Sequence, residues 1–260
     1  MQIRHISKQE LANYYEGENL LNPQENQFFI MDTQKLRYKS GEFKNVSVKK
    51  IKGETAELKH RNEEQEMAID LLLDDEIKLV VLTGKAGCGK TYLATQVGLH
   101  KVFDKKAYNR LFFVRNNIEI TKSIGALPGE KFDKIKPYLS SIVDQLGGWE
   151  AVFYLMEANN KIEAEALGYM QGRSLKDTYI IVDEAQNLTV SQVKMLVTRV
   201  AEGSKIILTG DLEQTANCSF DRDSGIKEAI DRFSGYSLFG YLELQKTERS
   251  ELAELAALLL

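Results

Sequence analysis

Ile77-Lys78-Leu79-Val80-Val81-Leu82-Thr83-Gly84-Lys85-Ala86-Gly87-Cys88-Gly89-Lys90-Thr91 is an apolar run that breaks into a glycine-rich loop, and this stretch decides the fold. The run has the character of a strand buried on both faces. The glycines free the backbone to curl until successive N–H groups point inward, which makes a cradle for a phosphate chain. Lys90 adds a point charge for the β and γ oxygens, and Thr91 offers a hydroxyl to Mg²⁺. A helix opening at Lys90 turns its positive end toward the anion. The full pattern at the exit of a strand is far more specific than an isolated glycine triplet. Gly84, Lys85, Ala86, Gly87, Cys88, Gly89, Lys90, Thr91 and the following Tyr92 are the expected nucleotide-binding residues.

At 260 residues with 43% hydrophobic side chains, the chain can build one large α/β unit with a small appendage. Its two cysteines, Cys88 in the loop and Cys218 far from it, offer neither a disulfide framework nor metal-ligand spacing. No run approaches ~20 apolar residues, and Met1-Gln2-Ile3-Arg4-His5 lacks the apolar core of an export signal. No membrane contact and a cytoplasmic location are therefore expected. Thirty-four Lys and Arg against 38 Asp and Glu give a net charge of −4 and no global pull on polyanions. A nucleic-acid surface would have to be a local patch.

Two regions follow from the patterning. Residues 1–60 begin as a short helix or loose tail and continue, from Asn26, as short stretches with period two around a Ser40-Gly41 turn, which reads as a small antiparallel sheet. Residues 61–260 alternate helix and strand. Strands are expected at 77–82, 110–115, 179–183, 205–208 and 238–242, and helices at about 90–103, 190–201 and 225–233. Further helices are expected within 131–158 and from about Ser250. Strands apolar throughout and separated by helices predict a parallel sheet sandwiched by helices, with the ligand beyond the strand carboxyl ends.

Candidate chemistry falls at those ends. Val182-Asp183-Glu184-Ala185-Gln186 sets Asp183 to hold Mg²⁺ opposite Thr91, and sets Glu184 to position and deprotonate water for in-line attack. Acids also gather at helix starts for the dipole alone. Gln214 in Gly210-Asp211-Leu212-Glu213-Gln214 has an amide suited to reporting a γ-phosphate, or belongs to an ordinary turn. Gln65 matches the N6 and N7 edge of adenine, which favours ATP, and equally fits a capping role behind Asn62. Arg249 is a candidate for stabilising charge on the transferred phosphoryl group, or a solvated arginine at a helix start, with Arg173 as the second candidate. Arg115 and Lys122 are candidate nucleic-acid contacts, and Lys101, Lys105, Lys106 and Arg110 form a basic segment that a solvated helix end explains equally well. Trp149 reads as a packing residue.

In this order, Arg61-Asn62-x-x-Gln65, Gly84–Thr91, Gly125-Ala126-Leu127-Pro128-Gly129, Gly172-Arg173-Ser174, Asp183-Glu184-Ala185-Gln186-Asn187-Leu188, Thr198-Arg199, Gly210-Asp211-x-x-Gln214 and Glu248-Arg249-Ser250 make the chain resemble the PhoH family of P-loop ATPases. Cys88 stands where that family usually has Thr, and Ala126 where it has an aromatic. The resemblance implies an α/β RecA-like P-loop NTPase similar to the first core domain of superfamily-one helicases, with a small N-terminal β appendage. Some relatives carry a PIN nuclease domain, for which residues 1–60 are too few. ATP with Mg²⁺, hydrolysis, single-stranded RNA and a homo-oligomeric ring, a hexamer by the resemblance, are the implied cofactors, reaction and partners. An ATP-dependent switch or adaptor for a protein partner is the alternative. A ring would let each chain present an arginine to its neighbour's γ-phosphate.

Overall fold

The computed structural model describes residues 3–18, 20–115, 143, 148–157, 161–170, 172–214 and 224–248. Lys122, Cys218, Arg249, the motif at 125–129 and the helix expected from Ser250 lie outside them. The chain opens with β1 (Arg4–His5) and α1 (Lys8–Tyr15), then β2 (Phe28–Met31), β3 (Gln34–Lys39) and β4 (Glu42–Asn45). Ser7 caps α1 through a reciprocal pair of hydrogen bonds with Glu10. β2, β3 and β4 pair antiparallel, whereas β1 joins β2 in parallel. From Asn26 onward the sheet is antiparallel as expected; the parallel strand β1 lies in the stretch read as a short helix or loose tail, and α1 between β1 and β2 supplies the crossover that lets the chain re-enter in the same direction. Phe29, Met31 and Leu36 form its core, with Tyr14 and Phe43 packed on it.

After the short pair β5 (Ile51–Lys52) and β6 (Glu57–Leu58) comes α2 (Glu63–Leu73), then β7 (Leu79–Gly84), α3 (Lys90–Leu99) and β8 (Arg110–Arg115). Past Leu99 the helix expected to reach Phe103 loosens into a π-turn over His100–Asp104. α4 (Trp149–Glu157), β9 (Ile162–Ala166), β10 (Thr178–Asp183), α5 (Val190–Val197), β11 (Lys205–Gly210), α6 (Gly225–Phe233) and β12 (Phe239–Leu244) complete the described chain. The large sheet runs β12-β7-β11-β10-β8-β9, every pair parallel. Alternate residues serve two cores: Val80, Leu82, Tyr179 and Ile181 pack under α2 and α3, while Leu79, Val81, Ile180 and Val182 pack under α5 and α6. Burial on both faces explains the unbroken apolar runs, and the result is a RecA-like P-loop sheet.

β9, Ile162-Glu163-Ala164-Glu165-Ala166, is a strand that the apolar patterning passes over. It occupies the sheet edge, where only alternate residues are buried. Its acids are matched by Arg110, 2.8 Å from Glu163, and by Arg173, which pairs with both Glu163 and Glu165.

The small sheet is fastened to α2 by charge. Lys35, Arg37 and Lys39 lie on one face of β3, about 6.7 Å apart; Glu66 and Asp70 on α2, about 6 Å apart, are followed four residues on by Asp74 at its C-cap. The near-equal spacings let the rows meet: Lys35 to Glu66 at 2.8 Å, Arg37 to Asp70 at 2.9 Å and to Asp74 at 2.5 Å, Lys39 to Asp74 at 2.6 Å. Burial would raise the Asp74 carboxyl, but hydrogen bonds from Lys39 and the Glu76 N–H, with the Arg37 guanidinium, hold it at about 2. Asp70 is instead raised by burial against the pull of Arg37.

Lys205 is fully buried and donates to the carbonyls of Leu71 and Asp74, 2.7 Å each, so its side-chain nitrogen caps the end of α2. Burial, reinforced by Lys101, lowers its pKa from 10.5 to about 7. The unfolded chain therefore binds this proton more tightly between those values. Stability from this group is complete above pH 10.5 and is lost as pH falls through about 7. In Lys205→Met, the wild-type-minus-variant unfolding free energy should rise with pH above 7 by on the order of 1 kcal/mol per unit. Urea denaturation across that range measures it, and a flat difference would refute the assignment.

Candidate functional site

β7, β11 and β10 end side by side, with Leu208 opposite both Val81 and Val182. β11 thus separates the loop strand from the strand carrying Asp183. The loop leaves β7 with Gly84, Gly87 and Gly89 at φ of 138°, 91° and 94°. Beyond its backbone angle, Gly84 has no space for a side chain, since a Cβ there would lie 2.0 Å from the Leu244 carbonyl oxygen on β12.

Lys90 folds back under the loop, donating to the carbonyls of Gly84 at 2.6 Å and Lys85 at 3.0 Å. Cys88 is fully buried, and its carbonyl accepts from the Gln65 amide at 3.3 Å. Thr91 Oγ1 donates to Asp183 Oδ1 at 2.8 Å, and Thr209 Oγ1 donates to the same oxygen at 2.8 Å. One hydroxyl and one carboxylate suit Mg²⁺, a hard cation that keeps several waters and takes one or two protein oxygens beside substrate phosphates. Thr91 and Asp183 would hold it.

Glu184 sits in the left-handed region, at φ 54°, where non-glycine residues are strained. Its Oε2 accepts from the Gln186 amide at 2.6 Å. Gln214 is exposed at the end of a turn held by its N–H on the Asp211 carbonyl at 3.1 Å. Lys85 reaches Glu213 across the loop at 3.5 Å.

Of the two uses open to Gln65, the structure shows the helix-start one, shifted by a residue. Asn62 caps α2 by accepting the Gln65 N–H at 2.9 Å, and Gln65 Oε1 accepts from Arg61 N–H at 2.9 Å. Gln65, Gly87, Gly89, Tyr92 and Glu248 line a cavity of about 850 Å³ beside the loop. Tyr92 is 41% exposed there. Glu248 closes this side: its N–H donates to Gly87 O at 3.1 Å and its carboxylate accepts from Asn62 at 2.7 Å.

Other expectations change. Arg173 is tied to Glu163 and Glu165 and lies over Phe112 at 5.0 Å, at the β8–β9 edge, so the structure does not bring it to the loop of its own chain. Arg115, half-buried, ends β8 opposite Asp183. In the basic segment, Lys101 is buried on Asp75 at 2.6 Å and Arg110 pairs with Glu163, so those two charges are spent internally. Trp149 stands at the start of α4, 36% exposed. Thr209, Gln186 and Glu248 carry contacts that sequence reading did not assign. Their only signal was position, Gln186 and Glu248 within recognised motifs and Thr209 beside one.

Thr91 on α3 can reach Asp183 on β10 only because the two strands end at one edge, and that meeting places the chain among the P-loop NTPases. Among the described residues no helix is long and apolar enough to cross a membrane. The family model for the PhoH-like protein matches residues 57–258, and the chain belongs to that family. Protein PhoH2 of Bacillus subtilis (strain 168) is 44% identical over 213 residues, covering 78% of this chain and 48% of that protein. A PhoH-like protein of the same organism is 34% identical over 220 residues, covering 82% and 66%. The chain spans about half the length of the PhoH2 relatives it matches. Among solved structures, Bacteroides sp Pif1 in complex with ADP-AlF4 is similar at TM-score 0.38 and 16% identity, over 77% of this chain and 45% of that one.

Because the Gly84 Cβ position is filled by the Leu244 carbonyl, Gly84→Ala should lower the unfolding free energy by roughly 3 kcal/mol. Chemical denaturation measures the loss; wild-type stability would show that the loop relaxes away from β12.

Proposed function

We propose that the chain binds and hydrolyses Mg-ATP, coupled to single-stranded RNA in a homo-oligomeric ring. The observation that carries the hydrolytic reading is the shared contact of Thr91 and Asp183 beside the Lys90 loop. When bound, Mg²⁺ neutralises charge on the β and γ oxygens. Lys90 would exchange its two carbonyl partners for phosphate oxygens, and the loop N–H groups would cradle the chain. The base would occupy the cavity beside Gln65 and Tyr92. Glu184 would orient water and take its proton, and Gln214 would meet the γ-phosphate.

Arg115 at the carboxyl end of β8 supports a nucleic-acid path along that edge of the sheet, with Lys122 further along the chain. The side chain of Lys85 is 64% exposed, which supports covering of the γ-phosphate side by another surface. We place that surface on a second copy, packed head to tail in a ring. With Arg173 held by two carboxylates, Arg249 is the arginine for the transition state.

Lys90→Ala should abolish Mg-ATP hydrolysis, and Glu184→Gln should retain Mg-ATP binding while losing about 10²–10⁴ in turnover. Phosphate release and calorimetry check both; full turnover by either variant would refute the reading. An arginine supplied across an interface is worth roughly 10³–10⁵ in turnover. Specific activity should therefore fall on dilution, and mixing inactive Lys90→Ala and Arg249→Ala chains should restore some of it. Undiminished turnover by dilute monomer would place Arg249 in its own site, one residue beyond Glu248. Single-stranded RNA at low salt should raise turnover; indifference to RNA would favour a nucleotide-dependent switch acting on a protein partner.

A further inference from the structure

We infer that Gln186 is a positioning residue that ties Glu184 to the turn carrying Gln214, so that the group aligning water and the group meeting the γ-phosphate move as one. This rests on the roles proposed above for Glu184 and Gln214. Gln186 is 2% exposed and its single amide spans two elements. The amide nitrogen donates to Glu184 Oε2 at 2.6 Å, and the amide oxygen accepts from the Asp211 N–H at 3.1 Å. From Asp211 the connection continues within the turn: its side chain accepts from Glu213 N–H at 3.0 Å and its carbonyl from Gln214 N–H at 3.1 Å.

The backbone is shaped around this amide. A Cβ on Gly210 would sit 2.7 Å from Gln186 Oε1 and 2.9 Å from its backbone nitrogen, so only glycine lets β11 end this close. On the other side Glu184 takes a left-handed conformation and starts the short turn Ala185–Asn187 that presents Gln186. A strained residue and a missing side chain converge on one hydrogen-bonded pair, and the pair joins the ends of β10 and β11. A side chain with both donor and acceptor is needed: a carboxylate keeps the acceptor for Asp211 and loses the donor to Glu184, and leucine loses both.

The test uses the full chain and two readouts, hydrogen exchange at the Asp211 amide without nucleotide and steady-state Mg-ATP hydrolysis. Gln186→Leu should speed Asp211 exchange about tenfold or more while the amides of Ile206–Leu208 stay protected. It should also lower kcat about tenfold with KM within about twofold. Gln186→Glu should restore Asp211 protection without restoring kcat. Gly210→Ala, which changes neither partner of the hydrogen bonds, should reproduce Gln186→Leu in both readouts. Gln186→Leu combined with Gln214→Ala should be no slower than the slower single variant, because both cut one link. Unchanged Asp211 exchange, unchanged kcat in Gln186→Leu, or rate losses that multiply would each overturn the inference. If wild-type protein fails to hydrolyse Mg-ATP, the proposed function fails, and Asp211 exchange still decides whether the link exists.

Discussion

Asp183 Oδ1 receives two hydroxyls, from Thr91 on the helix after the phosphate loop and from Thr209 at the end of the intervening strand. This shared acceptor joins β7, β11 and β10 at their carboxyl ends. It exists because the three strands are parallel and in register, so that one step along each reaches the same edge of the sheet. A one-residue slip in β11 would turn Thr209 into the core and present Leu208 to a carboxylate. The hydrophobic alternation that builds the two cores is thus also what aims the polar groups.

α2 extends that edge toward the small sheet. At its start Gln65 grips the Cys88 carbonyl, Asn62 grips Glu248, and Glu64 accepts the N–H groups of Gln245 and Lys246 where the chain leaves β12. At its other end Asp70 and Asp74 meet Arg37 and Lys39 of β3, and Lys205 caps its carbonyls. Eleven residues of helix therefore connect the small sheet to the phosphate loop with ionic or hydrogen-bonded contacts at both ends. Buried pairs of this kind add little net stability but penalise wrong arrangements, since one partner left alone in the interior is costly. The appendage is held in one orientation against the site.

The large sheet was legible because burial on both faces writes continuous apolar runs, and the loop because its chemistry demands glycines at fixed spacing. β9 was not, since an edge strand with alternating glutamates resembles a solvated segment until Arg110 and Arg173, remote in sequence, are placed beside it. The parallel entry of β1 was hidden for a similar reason: two residues carry no direction. Gln65 offered two uses that local spacing could not separate, and its link to Cys88 appears only once α2 is set against the loop. Lys101 and Arg110 read as surface charge because their carboxylate partners, Asp75 and Glu163, come from other elements. Pattern within an element was readable; the ion pairs and amide links that tie these elements to one another were not.

The arrangement of Lys90 bears on how the loop keeps its shape. Its ammonium is satisfied by the Gly84 and Lys85 carbonyls, so the charge closes the loop from beneath. Those partners are neutral carbonyls, whereas a phosphate oxygen carries charge opposite to the ammonium, so the exchange adds ion–ion attraction to bonds that are already charge-assisted. An arriving triphosphate would take over a lysine already near its working position, exchanging weaker acceptors for stronger ones with little ordering of the long side chain left to do. The entropy of fixing that side chain has been met in folding, by contacts the ligand can displace. The same logic holds for Thr91, whose hydroxyl is already aligned on Asp183. The loop is organised by internal partners that are strong enough to fix geometry and weak enough to surrender it.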